Sequence, residues 1–140
     1  DTRLKQHYQN TKIIINFLKK QKKIAEILYP HKPGSKSYKL WKKYYTGATG
    51  LLSIVIKSKN KSSVTKFVNS LELFGIGYSW GGFESLAILQ DLRLNKKDEY
   101  IQGRKFFRFN KDEHIVRLHI GLEDPKDLIN DLKNSLRYIK

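Results

Sequence analysis

Two stretches of this chain carry residue types that could do chemistry. Ile115-Val116-Arg117-Leu118-His119-Ile120-Gly121-Leu122-Glu123-Asp124 sets one guanidinium inside a run of β-branched and aliphatic residues. Strand side chains alternate between faces, so Val116, Leu118 and Ile120 are expected on one side and Ile115, Arg117 and His119 on the other. A cation among so much apolar surface is costly unless it is paired and hydrogen-bonded. Tyr78-Ser79-Trp80-Gly81-Gly82-Phe83-Glu84-Ser85-Leu86 offers a setting for that pairing. Its Gly-Gly step allows close backbone approach and leaves amide donors beside a Trp and a Ser. Together the two stretches suggest a site for a small carboxylate. The plainer reading of Arg117 on pattern alone is an arginine whose stem covers its neighbours while its head reaches water. Ser79 and Trp80 fit equally well as a strand end with a core-edge indole. His7, His31, His114 and His119 show no metal-ligand spacing. No Ser/His/Asp order, phosphate-cradling loop or suitably spaced carboxylate pair accompanies them.

With Arg3-Leu4-x-x-His7, Tyr29-Pro30, Pro33-Gly34-Ser35-Lys36, Trp41-Lys42, Thr46-Gly47 and Gly50-Leu51-x-Ser53, these motifs follow one familiar order. The chain resembles the C-terminal domain of the cystathionine β-lyase branch of the Cys/Met-metabolism family of fold-type I pyridoxal-phosphate (PLP) enzymes. The likeness runs from about residue 3 to the end and is weakest over residues 92–113. Related γ-synthases and γ-lyases typically carry Ser-Leu-Gly-Gly where this chain has Ser79-Trp80-Gly81-Gly82. The resemblance implies that Arg117 binds the α-carboxylate of the amino-acid substrate, with Ser79 and the backbone at Trp80 beside it and Tyr78 as a neighbour. A planar guanidinium fork suits that task, because it holds a carboxylate in one orientation. Gly81 and Gly82 are expected to shape the turn, and Glu84 to be structural. The resemblance also implies PLP as cofactor, bound by a larger domain upstream that supplies the Schiff-base lysine. None of the lysines here sits in a matching motif, so no catalytic or cofactor-binding residue is expected in this chain, and alone it is expected to be inactive. The implied parent reaction converts L-cystathionine to homocysteine, pyruvate and ammonia, in methionine biosynthesis. The implied partners are the PLP-binding domain, a small thioether amino acid and further copies of the chain, the family being tetrameric; the implied location is the cytoplasm. Two readings from other classes compete: a non-catalytic remnant or partner-binding subunit of a split enzyme, and a basic nucleic-acid-binding module.

The formal charge of +15 is what invites the nucleic-acid reading. Lysine far outnumbers arginine, however, and arginine is the preferred reader of phosphates and base edges. Only Lys19-Lys20-Gln21-Lys22-Lys23 is dense, and it lies at the end of a predicted helix, where cations complement the dipole. The absence of Cys excludes disulfides and thiolate metal sites. No apolar stretch approaches the ~20 residues of a membrane helix, and the polar N-terminus lacks the apolar centre of a signal peptide. Because the sequence holds no Met, residue 1 is not a translation start as it stands. We expect a processed product, an excised domain or a piece of a longer protein.

The elements that must position these residues are legible as well. Leu4, Tyr8, Thr11, Ile15 and Leu18 mark one face of a long N-terminal helix. Residues 24–28 read as a short strand. Pro33-Gly34-Ser35 reads as a turn with a possible helix cap, and Tyr38, Trp41 and Tyr45 as a short helix. Residues 51–56 read as a strand covered on both faces. Ser62 or Ser63 is expected to cap a helix with the stripe Val64, Phe67, Val68 and Leu71. Residues 85–89 suit a strand, 92–110 stay unassigned, and 115–120 form the strand of Arg117. Asp124-Pro125 starts a last helix that buries Leu128, Ile129, Leu132, Leu136 and Ile139. The apolar fraction of 39% supports a folded core. The expected class is α+β: one domain over 1–140, a small mixed or antiparallel sheet covered by helices.

Overall fold

The computed structural model describes residues 2–35, 37–90 and 112–140. Its centre is strand β5 (Glu113–His119) in a five-stranded sheet of order β1-β2-β5-β4-β3. The other strands are β1 (Ile24–Leu28), β2 (Leu51–Lys57), β3 (Gly75–Ile76) and β4 (Leu86–Gln90). All neighbours are antiparallel except β3 and β4, which run parallel, so the sheet is mixed. The class is α+β, as the alternation of elements implied. Residues 92–110, which the sequence left unassigned, lie outside the described residues.

Alternation along β5 divides the sheet into two faces. Val116 and Leu118 point to the helices with Leu52, Ile54 and Ile56 of β2 and Ala87 of β4. They meet Ile14 and Leu18 from α1 (Thr2–Leu18), Val64, Phe67 and Val68 from α3 (Lys61–Asn69), and Leu128 and Leu132 from α4 (Pro125–Leu136). Each of these helices offers apolar side chains at three- and four-residue spacing, which is why one continuous core forms. Arg117 lies on the opposite face, where its register partners are Ser53 and Ile88. Val55 and Ile115, also on that face, are buried too, so β2 is covered on both sides as its continuous apolar run suggested.

Three local expectations need correction. The buried face of α1 is His7, Asn10, Thr11, Ile14, Ile15 and Leu18, while Leu4 is exposed and Tyr8 only half-buried. An apolar stripe cannot reveal this rotation, because the buried polar groups are compensated by backbone partners distant in sequence. The cap of α3 is Asn60, whose Oδ1 accepts from Ser62 N at 2.9 Å; Ser63 turns inward and donates to Asn60 O at 2.7 Å. Asn60→Ala is therefore expected to cost about 1 kcal/mol in urea denaturation, with Ser62→Ala close to neutral. Ser35 caps no helix: α2 (Tyr38–Tyr44) follows Ser37, and Ser35 Oγ instead reaches Pro30 O at 3.4 Å. The start of α4 is as read, with Asp124 Oδ1 accepting from Lys126 N at 2.7 Å and Pro125 at its first position.

Candidate functional site

Residues 77–85 connect β3 to β4 across the end of the sheet, and one row that begins in β5 and continues into the segment after it pins them along their length. Arg117, His119, Gly121 and Glu123 follow one another at the strand period of two. Each holds a successive part of the connection. Arg117 Nη2 donates to the carbonyls of Gly77 and Ser79, each at 3.4 Å, and to that of Tyr78 between them. Its guanidinium also stands 5.9 Å from the centre of the Tyr78 ring, within cation–π range. His119 Nε2 lies 3.1 Å from both Gly81 N and Gly82 O. Gly121 N donates to Ser85 Oγ at 2.9 Å. Glu123 then grips Ser85 with both oxygens, Oε1 accepting from Ser85 N at 2.6 Å and Oε2 from Ser85 Oγ at 2.8 Å. Leu122 N adds a backbone bond to Phe83 O at 2.8 Å.

The two motifs are thus complementary halves of one structure. Gly81 takes φ +84°, a left-handed conformation that glycine adopts without a Cβ penalty. Helix α1 fixes the strand side of the assembly. His7 Nδ1 donates to Ile120 O at 2.7 Å, and Asn10 Nδ2 donates to the carbonyls of Gly121 and Glu123 at 3.1 and 3.0 Å. Asn10 is itself oriented by Gln6 Nε2 at 2.8 Å. These bonds explain why polar residues occupy the buried face of α1.

The structure brings Arg117 together with Tyr78 and Ser79, through the backbone of the latter two. Trp80 belongs to the same connection, and its indole is exposed, as are the rings of Tyr78 and Phe83. Glu84 is exposed as well; the carboxylate that organises the loop is Glu123, in the segment between β5 and α4. Sequence reasoning missed Glu123, Ser85, Gly121, His7 and Asn10. Glu123 and Gly121 had a signal in the period-two spacing of Arg117, His119, Gly121 and Glu123, whereas Asn10 had none. Burial lowers the pKa of His119 from its ordinary value, with His7 and Arg117 acting in the same direction and the Gly82 carbonyl and Glu123 against it. The folded state therefore favours the neutral ring. Its contribution to stability is complete above the unfolded-state pKa and is lost as pH falls below it, because the unfolded chain then binds the extra proton.

Chemically, Nη2 carries two hydrogens. With one kept on the Tyr78 carbonyl, the other, released from its 3.4 Å contacts with Gly77 and Ser79, can join Nη1 in a two-toothed bond to a carboxylate. The arrangement can therefore hold the loop and an anion with one side chain. Among the described residues no group of three or more His, Cys, Asp or Glu could hold a metal ion, and no helix is long and apolar enough to cross a membrane.

Comparison with known proteins supplies the relationship. Residues 1–137 match the family described as Cys/Met metabolism PLP-dependent enzyme. Cystathionine beta-lyase MetC of Escherichia coli is 36% identical over 131 residues, which are 93% of this chain and 32% of that protein. L-alanine/L-glutamate racemase of Wolbachia pipientis is 35% identical, over 96% of this chain and 32% of that protein. Among solved structures, one described as an O-acetylhomoserine (thiol)-lyase of Campylobacter jejuni superposes with a TM-score of 0.71 at 29% identity, covering 96% of this chain and 28% of that one; it carries a pyridoxyl-lysine adduct. The chain spans about a third of the length of these curated relatives. It belongs to the Cys/Met metabolism family of PLP-dependent enzymes.

Proposed function

We propose that this chain is the C-terminal, carboxylate-holding part of a PLP-dependent carbon–sulfur lyase, a cystathionine β-lyase that releases homocysteine, pyruvate and ammonia from L-cystathionine. The observation that carries this reading is the position of Arg117: a half-buried guanidinium beside the Tyr78-Ser79-Trp80 segment, with hydrogen-bonding capacity beyond what the loop carbonyls take. The similarity to cystathionine beta-lyases supports the choice among the family's chemistries. In this reading Arg117 binds the α-carboxylate, Ser79 and the backbone at Trp80 border it, and Tyr78 covers the guanidinium. Orientation is the chain's contribution. A fork that grips both carboxylate oxygens fixes the direction of the bonds at Cα, and fixing geometry removes much of the entropic part of a barrier.

The described residues do not fit the covalent anchor of PLP. A lysine that bonds the cofactor needs surroundings that make it shed its charge, usually burial. Every described lysine is exposed except the half-buried Lys32, whose ammonium reaches Ile27 O at 3.4 Å. We assign the anchor to the two thirds of a family protein that this chain does not span. The exposed rings of Tyr78, Trp80 and Phe83 are the surface that part would cover.

The test is to assay pyruvate release from L-cystathionine with PLP, using the 140-residue chain alone and the polypeptide that joins it to a cofactor-binding part. Turnover is expected only in the second. Turnover by the chain alone, with one lysine stoichiometrically modified by PLP, would overturn the assignment.

A further inference from the structure

His119 is a member of the pinning row whose two hydrogen bonds cannot both form at once. Its ring is almost wholly buried, and Nε2 stands 3.1 Å from a donor, Gly81 N, and 3.1 Å from an acceptor, Gly82 O. A single ring nitrogen satisfies one of these at a time. When bare, it accepts from Gly81; when protonated, it donates to Gly82. In many proteins the other ring nitrogen decides which form prevails, through its own partner. Here Nδ1 is buried and has no hydrogen-bond partner among the described residues. It faces Gly50, where a Cβ would come within 3.1 Å of it. The neighbouring His7 ring, 5.1 Å away centre to centre, has its Nδ1 committed to Ile120 O.

We propose that His119 is a positioning residue for the carboxylate clamp: by exchanging its proton between Nδ1 and Nε2, the neutral ring holds the Gly81–Gly82 turn in either of two bonded arrangements and so sets where Ser79 and Trp80 stand relative to Arg117. The proposal rests on the clamp reading given above. Both arrangements leave one buried ring nitrogen unpaired, so the cost of that atom does not strongly favour one of them. Arg117 grips the turn two residues before Gly81 and His119 grips it at Gly81 and Gly82, so a change at the ring is passed to Ser79 and Trp80 through two peptide units. A cationic ring retains only the Gly82 bond and repels the Gly81 N–H. Among the described residues, the charged and titratable groups around it are His7 from α1, Arg117 on its own strand and Glu123 from the connection to α4; Leu51 of β2 and the Gly50 before it bring none.

The experiment uses the isotopically labelled 140-residue chain and NMR. In the unaltered chain, the Gly81 and Gly82 amide resonances are expected to follow the His119 ring nitrogens through one midpoint, below the ordinary histidine value. His119→Leu fills the space without polar atoms. It is expected to lower the exchange protection of the Gly81 amide about five- to tenfold, as for the loss of one hydrogen bond, and to leave the β2 and β5 amides unchanged. His119→Gln, which carries both a donor and an acceptor, is expected to restore most of that protection. Gly81 and Gly82 resonances that ignore the ring titration overturn the proposal, and this arm stands even if His119→Leu does not fold. Unchanged Gly81 protection in a folded His119→Leu chain, or failure of His119→Gln to restore it, does the same. Failure of the clamp reading shows elsewhere, in the steady-state kinetics of Arg117 variants, which do not depend on the Gly81 amide.

Discussion

Arg117→Lys is expected to lower kcat/KM for L-cystathionine about a hundredfold in the polypeptide that joins this chain to its cofactor-binding part, mostly through KM. Hydrogen bonds to charged groups contribute roughly 1.5–3 kcal/mol each, and each 1.4 kcal/mol is tenfold. A lysine ammonium keeps the charge but loses the fork. It cannot hold the Tyr78 carbonyl and both carboxylate oxygens in one plane, as the guanidinium can. Some loss in kcat should accompany the rise in KM, because a carboxylate held at one point no longer fixes the bonds at Cα. The chain itself should remain folded, since Arg117 is half-buried and lies off the helical core. Steady-state kinetics beside a thermal melt separates the two effects. A Lys variant within threefold of the unaltered enzyme would remove Arg117 from the clamp.

How much of this was legible in the sequence depended on whether a residue's partner lay in its own local pattern. The two faces of β5 were readable because alternation is a local rule, and it puts Val116 and Leu118 in the core and Arg117 on the other face. The Asp124-Pro125 helix start was readable for the same reason. The cap of α3 was misassigned because three candidates lie within four residues, and Asn60 prevails only once Ser63 has turned inward to Ser58 and to its carbonyl. The polar face of α1 was not readable at all. His7 and Asn10 look like solvent-facing residues until Ile120, Gly121 and Glu123 arrive from over a hundred residues away. Of the site, the pairing of Arg117 with the Tyr78-Ser79 backbone was inferred from the unusual placing of a cation and from family likeness. Glu123 was passed over because it follows the strand proper, where alternation is no longer an obvious guide.

Gly121→Ala is expected to cost about 3 kcal/mol, near the top of the range for overpacking a tight site. A Cβ at this position would stand 2.7 Å from the Glu84 carbonyl carbon, and closer still to Phe83 O and Glu123 Oε2. The carboxylate can swing away, but the two backbone atoms cannot move without taking the loop with them. Displacing the loop breaks the Leu122–Phe83 backbone bond and pulls Ser85 from Glu123 and from Gly121 N. Ser85 is fully buried, so its amide and hydroxyl would then lack both partners and water. Two other glycines in the same site serve as internal controls. Gly82 has open space where its Cβ would be and no left-handed φ, so Gly82→Ala should change stability by no more than about 0.5 kcal/mol. Gly81 has equal space but φ +84°, so Gly81→Ala should fall between the two, at roughly 1–2 kcal/mol. Urea denaturation of the three variants checks the order. A Gly121→Ala chain no less stable than Gly82→Ala would show that the loop is not clamped between Arg117 and Glu123, and that the two motifs are merely neighbours.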